Sequence, residues 1–172
     1  TVDCAFKGTS ESDRVSIQVW GRHREKPQHF YLIDDLTDQM TFTETLRALH
    51  AMCRKWPMAI LKLIEETANG PAVMDLLQGQ INGLIGFKPA QYGSKESRAQ
   101  VAALSFEGAQ VFIPAAEHFP TQDEWVSEIC GFGTGWPFDD RVDAMSQLLI
   151  RWMTTHKTDP AAATKAALGW LN

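Results

Sequence analysis

Four acidic residues stand where the surrounding sequence is apolar. Asp3 lies inside "TVDCAFKG", and Glu65 closes "MAILKLIEE". Asp140 and Asp143 open "FDDRVDAMSQLLIRWM". Carboxylates brought together repel one another, so such a group is costly unless a cation sits among them. An oxygen-only donor set suits Mg²⁺ or Mn²⁺ rather than zinc. Two such ions ~4 Å apart would activate a water and steady the leaving oxygen in phosphodiester cleavage. Each residue also has a structural reading. Asp3 could be exposed at a strand end, and Glu65 and Glu66 could be solvated at a strand edge. Asp139 suits a helix cap, and Asp140 and Asp143 would favour a helix dipole by ~0.3–1 kcal/mol each. Asp34 and Asp35, which end a third apolar run, read as turn residues. Spacing alone leaves these alternatives open.

The elements needed to bring the acids together can be read from the pattern. "VDCAFK" is a strand and "GTSESD" a turn. "RVSIQVWG" alternates, with Val15, Ile17 and Val19 on one face and Ser16 and Gln18 on the other. The basic loop "GRHREKPQ" leads to the strand "HFYLIDDL". Three strands on short loops form an antiparallel meander, because parallel pairing needs a longer crossover. From Thr41 or Thr43 the period becomes helical, with Leu46, Leu49, His50 and Cys53 on one face. A fourth strand ending in Glu65 follows, then a helix with Pro71 in its first turn. "GLIGFKPA" is a fifth strand, and "SKESRAQVAALSFEG" a helix with a serine cap and closing glycine. "AQVFIP" is a sixth strand, "TQDEWVSEICGF" a short helix, and the stretch from Asp140 the last long helix. The fold class expected is α/β: a mixed sheet, with the antiparallel meander plus parallel strands and helices on both faces. If the first and fourth strands are neighbours and the last helix packs across them, the four acids converge.

Bulk properties narrow the field further. The 172 residues suit one domain, and 44% hydrophobic with 22% charged residues is ordinary for a globular chain. No apolar run approaches the ~20 residues of a membrane helix and no signal peptide opens the chain, which points to the cytoplasm. Cys4, Cys53 and Cys130 are too far apart for a zinc knuckle or a disulfide framework and are expected to be reduced and mostly buried. A net charge of −5 argues against a broad nucleic-acid-binding surface but not against a metal-dependent nuclease, whose site is acidic. "GFGTG" (131–135) follows a helix rather than a strand and fails as a dinucleotide loop, and G-x-x-x-x-G-K-[ST] is absent. The five histidines lack metal-ligand spacing, and the six tryptophans read as packing residues.

Taken in order, "VDCAFKG", "VSIQVWG", "FYLIDDL", "LIEETANGPAVMDLL", "GSKESRA", "GAQVFIP" and "FDDRVDAMSQLL" resemble the C-terminal nuclease domain of the large terminase subunit of tailed bacteriophages, a branch of the ribonuclease H-like superfamily. The most specific pieces are "E-x-x-x-N-G" after the fourth strand and "D-D-x-x-D-A" at the last helix. The resemblance implies an RNase H-like domain over 1–155 followed by a C-terminal tail, 156–172. The family's N-terminal ATPase motor is missing from this sequence, consistent with a start inside a strand. It further implies an endonuclease that cuts concatemeric viral double-stranded DNA during packaging, using Mg²⁺ or Mn²⁺ with two ions per site. Asp3, Glu65 and Asp140 match the family's catalytic acids and metal ligands, with Asp143 as an additional metal ligand and Glu66 and Asp139 as alternates. Lys95 falls where the family often has a lysine near the site and could contact the scissile phosphate, and Arg98 could hold the DNA backbone, with surface salt bridges as their other reading. The implied partners are the ATPase domain of the full-length chain, the small terminase subunit and the portal protein. The implied location is the host-cell cytoplasm during virion assembly. One departure concerns Phe138, which stands where the family often has histidine before the "DD" pair. Rival readings are a Holliday-junction resolvase or RNase H-type nuclease of the same fold, or a non-catalytic docking module of a packaging motor.

Overall fold

The computed structural model describes residues 1–4, 14–67 and 70–155. The expected turn "GTSESD", Asn69 and the tail 156–172 lie outside the described residues. A six-stranded sheet runs in the order β5-β4-β1-β2-β3-β6. Its strands are β1 (Val2–Cys4), β2 (Val15–Arg22), β3 (Phe30–Asp38), β4 (Lys62–Glu65), β5 (Leu84–Phe87) and β6 (Val111–Phe112). The meander β1-β2-β3 is antiparallel, while β4 joins β1, β5 joins β4 and β6 joins β3 in parallel. The expected mixed sheet is therefore the observed one, and β1 and β4 are neighbours.

Helices cover both faces. On one side α1 (Phe42–Lys55) and α2 (Gly70–Leu77) supply Leu49, Met52, Val73 and Leu77. These pack on Val2, Cys4, Val15, Ile17, Val19 and Ile64 of the sheet. On the other side α3 (Lys95–Glu107), α4 (Gln122–Gly131) and α5 (Asp140–Thr155) bring Ala102, Trp125, Met145 and Leu149 against Phe30 and Leu32. Local signals start the helices where expected. Thr41 and Glu44 form a reciprocal capping box on α1, and the Ser94 side chain accepts from the Ser97 N–H at the start of α3.

Strand alternation places Val2 and Cys4 under α1 and α2, which turns Asp3 to the α5 side. Ser16 and Gln18, on that same side of β2, are almost fully buried (0% and 1% exposed), so both faces of β2 belong to the interior. A bulge in β3 breaks the alternation. Val19 faces Asp34 and Trp20 faces Leu32, leaving Ile33 as the extra residue. Leu32 and Asp35, three apart, both reach the α5 side as a result. Asp34 and Asp35 lie within β3 rather than in a turn, which corrects the expectation from sequence. The cysteines differ from expectation too: Cys4 is buried, Cys53 half-buried and Cys130 exposed, and all three are free thiols.

Candidate metal site

Three elements carry the four acids to one place. Asp3 is at the middle of β1, Glu65 ends the adjacent β4, and Asp140 and Asp143 occupy the first turn of α5. All four are buried, at 7%, 9%, 5% and 8% exposure. Their proximity registers in the ionisation of Asp3. Burial raises its pKa well above the ordinary carboxylate value, and the charges of Asp143, Glu65 and Asp140 raise it further, while Lys95 opposes them.

The turn after β4 has a steric origin. A Cβ at residue 70 would stand 1.7 Å from the Glu65 carbonyl oxygen, so only glycine lets α2 begin so close to the strand end. Thr67 then donates to Glu65 Oε1 at 2.5 Å, and Gln147 Nε2 donates to Oε2 at 2.9 Å. Glu66 turns elsewhere, its carboxylate 3.5 Å from Lys88 Nζ at the sheet's β5 side. The alternate acids thus differ in setting: Glu65 faces α5, and Glu66 is a half-buried partner of a lysine.

Basic side chains hold the helix acids. Lys95 Nζ lies 2.5 Å from both Asp139 and Asp143, and Arg98 Nη2 lies 3.1 Å from Asp143. Burial still outweighs these cations and raises the Asp143 pKa, with Glu65 adding to the rise. Asp140 takes Arg14 Nε at 3.1 Å, and burial likewise leaves its pKa raised. Asp139 is half-exposed and pairs with Lys95. Among the described residues Asp3 forms no side-chain hydrogen bond or ion pair.

As they stand, no three acidic, histidine or cysteine side chains among the described residues are grouped to hold a metal ion. The donor chemistry nevertheless fits a hard divalent cation: four buried carboxylates from three elements, and one buried amide oxygen, Gln147 Oε1, without a hydrogen-bond partner. Closing on an ion would require Asp140 and Asp143 to turn from Arg14, Lys95 and Arg98 toward Asp3 and Glu65.

Several residues of this region escaped the sequence reading. Arg141, 2% exposed, bonds Asp35 at 2.9 Å through Nε and Glu128 at 3.1 Å through Nη1, while its backbone N–H donates to Glu128 Oε1 at 2.7 Å. Arg14 Nη2 reaches the same Glu128 at 2.6 Å. Gln18 donates to the Arg141 carbonyl at 3.1 Å. Polar residues in a strand that otherwise reads as core, Ser16 and Gln18, were the signal available for this network.

The fold and these positions can be set beside known proteins. Residues 1–151 match the terminase RNaseH-like domain family. The chain belongs to that family. This terminase domain also resembles a solved structure, the g2p (large terminase) nuclease domain from bacteriophage SPP1 with bound Mn. The TM-score is 0.59 over 87% of this chain and 83% of that one, at 16% identity, a likeness that speaks for the fold. No curated protein sequence matches the chain. The family and RNase H-like fold inferred from the motifs are therefore correct. At Phe138 the Arg14 guanidinium lies 3.9 Å over the ring while bonding Asp140. None of the described helices is long and apolar enough to cross a membrane.

Proposed function

We propose that this terminase domain is a divalent-metal-dependent endonuclease that cleaves concatemeric viral double-stranded DNA during genome packaging. The observation carrying the reading is that Asp3 is buried without a bonded partner beside three further buried acids, whose charges raise its pKa. A fold does not gather such charge for stability, because mutual repulsion and desolvation both oppose it. Mg²⁺ or Mn²⁺, two ions per site, would be held by Asp3, Glu65 and Asp140 with Asp143, and would supply Lewis-acid stabilisation and an activated water. Glu65 is the preferred second acid over Glu66, and Asp140 over Asp139, because each faces the cluster while its neighbour pairs with a lysine. Manganese in the SPP1 domain supports the choice of metal class.

The rest of the chemistry falls to the side chains of the chain. Lys95 and Arg98, once released by Asp143, would receive phosphate oxygens, Lys95 as a point charge and Arg98 as a fork. Arg14, packed on Phe138, holds the Asp140 carboxylate in place. With a charge of −5 the isolated domain should bind DNA weakly, so the ATPase domain of the same polypeptide, the small terminase subunit and the portal would hold the substrate. The setting would be the host cytoplasm during virion assembly, with residues 1–155 as the nuclease unit and 156–172 as a tail.

The test is supercoiled-plasmid cleavage with Mg²⁺, Mn²⁺, Ca²⁺ or EDTA, alongside branched DNA and RNA–DNA hybrid. Cleavage of the duplex should require Mg²⁺ or Mn²⁺ and fall by about a hundredfold or more in Asp3→Asn and Asp140→Asn, each still folded. Preference for a junction or hybrid would move the reading to a resolvase or RNase H-type enzyme. Absence of both cleavage and metal binding would leave a docking module.

A further inference from the structure

We propose that Gln147 is a positioning residue of this metal site: its amide N–H sets the orientation of Glu65, and its amide oxygen awaits a donor brought in with the cation. The inference rests on the metal-site reading above.

Gln147 is fully buried on α5, four residues beyond Asp143 and hence on the same helical face. Its Nε2 donates to Glu65 Oε2 at 2.9 Å. An ionised carboxylate only accepts, so the amide nitrogen must face Glu65 and the oxygen must point the other way along the same planar group. That oxygen has no hydrogen-bond partner among the described residues. It nevertheless sits one amide width from the bond to Glu65.

A second buried glutamine provides the control. Gln18, 1% exposed on β2, uses both ends of its amide. Its oxygen accepts from Trp20 Nε1 at 2.9 Å, and its nitrogen donates to the Arg141 carbonyl at 3.1 Å. Two glutamines at equal depth therefore differ in one respect: the one far from Glu65 is saturated, and the one touching Glu65 is half open. Methionine or leucine would fill the Gln147 position without an unmet amide oxygen, but at the loss of the bond to Glu65 Oε2. Glu65, held by Thr67 on one oxygen and Gln147 on the other, has its carboxylate plane set from both sides. Water entering with a divalent ion is a strong donor, and Gln147 Oε1 is the acceptor left for it.

Mn²⁺ binding is measured by calorimetry on the whole 172-residue chain as wild type, Glu65→Gln and Gln147→Met, with melting temperatures in EDTA. In parallel, the side-chain amide ¹H–¹⁵N signal of Gln147 is followed during Mg²⁺ titration. Gln147→Met should bind Mn²⁺ about tenfold to a hundredfold more weakly while keeping a cooperative melting transition in EDTA. The Gln147 amide signal should shift with Mg²⁺ in wild type and stay fixed in Glu65→Gln. Mn²⁺ affinity in Gln147→Met within twofold of wild type, or an amide signal indifferent to Mg²⁺, would overturn the role of Gln147 while Glu65→Gln still shows the metal site. Glu65→Gln binding Mn²⁺ like wild type would overturn the site itself, and this inference with it. Should Gln147→Met fail to fold, the amide titration decides alone.

Discussion

The first turn of α5 feeds two buried charge clusters that differ in their balance. Arg141 points into a closed one, where its guanidinium meets Asp35 and Glu128 and where Arg14 meets Glu128 again. Asp143, two residues on, points into an open one with Asp3 and Glu65, where acids outnumber the cations that reach them. Arg14 links the two, since it also bonds Asp140. In the closed cluster the strongest donors and acceptors find each other inside the chain, so the charges fasten β3, α4 and α5 together. In the open cluster Asp3 faces three acids with no bonded partner, and Lys95 opposes them only in part. A buried charge satisfied within the chain is a fastener, whereas one left wanting calls for something from outside.

Breaking the closed cluster should have the largest effect on stability. Arg141→Met strips Asp35 of its counter-ion and leaves Glu128 to Arg14 and the residue-141 N–H, the two carboxylates being 0% and 1% exposed at their side chains. It should cost about 3–5 kcal/mol, read as a lower denaturation midpoint in urea. Yet the upward shift of melting temperature on adding Mn²⁺ should persist in any fraction that folds. Loss of that shift would mean the two clusters are one functional unit.

Breaking the open cluster should have the opposite sign. Because the Asp3 pKa is raised, the folded chain retains a proton that the unfolded chain releases. Metal-free stability therefore falls as pH rises from the ordinary carboxylate value of 3.8 through the raised one. Asp3→Asn should stabilise the metal-free protein at neutral pH by about 1–3 kcal/mol, a typical range for single substitutions. The gain should shrink toward pH 4, and Mn²⁺ should no longer add to it. Melting curves from pH 4 to 8 in EDTA check this, and a destabilised variant at pH 7 would count against repulsion in the cluster.

Lys95→Met should have the smallest effect on stability. Its side chain is 30% exposed and its ammonium neighbours Asp139 and Asp143, so stability should change by about 1 kcal/mol or less. Cleavage should nonetheless fall, since a phosphate contact is lost. Unchanged cleavage in a plasmid assay would leave Lys95 as a salt bridge only.

Much of the fold was legible because its signals are local. The alternation of Val15, Ile17 and Val19 announced β2, a threonine at 41 or 43 before a helical period announced α1, and short loops between the first strands required antiparallel pairing. The acids Asp3, Glu65, Asp140 and Asp143 were visible as charges in apolar surroundings. The closed cluster was not visible. Asp35 reads as a turn residue until the bulge at Ile33 shifts the β3 alternation and aims it at Arg141. Arg14, Glu128 and Gln147 look like ordinary polar residues of a strand edge and two helices, and nothing in their spacing names their partners.

The division has a physical cause. Periodicity, capping and loop length act over a few residues, so sequence by itself determined the order and type of the elements and marked Asp3, Glu65, Asp140 and Asp143 as charges in apolar surroundings. Which side chain meets which across 45 to 126 residues of chain, as in Arg98 with Asp143 or Arg14 with Asp140, depends on sheet order, a single bulge and the seat of α5. Only the tertiary structure decided that Arg141 would be spent on fastening the fold and that Asp3 would be left without a bonded partner, because hydrogen bonds form between neighbours in space and leave no trace in spacing along the chain.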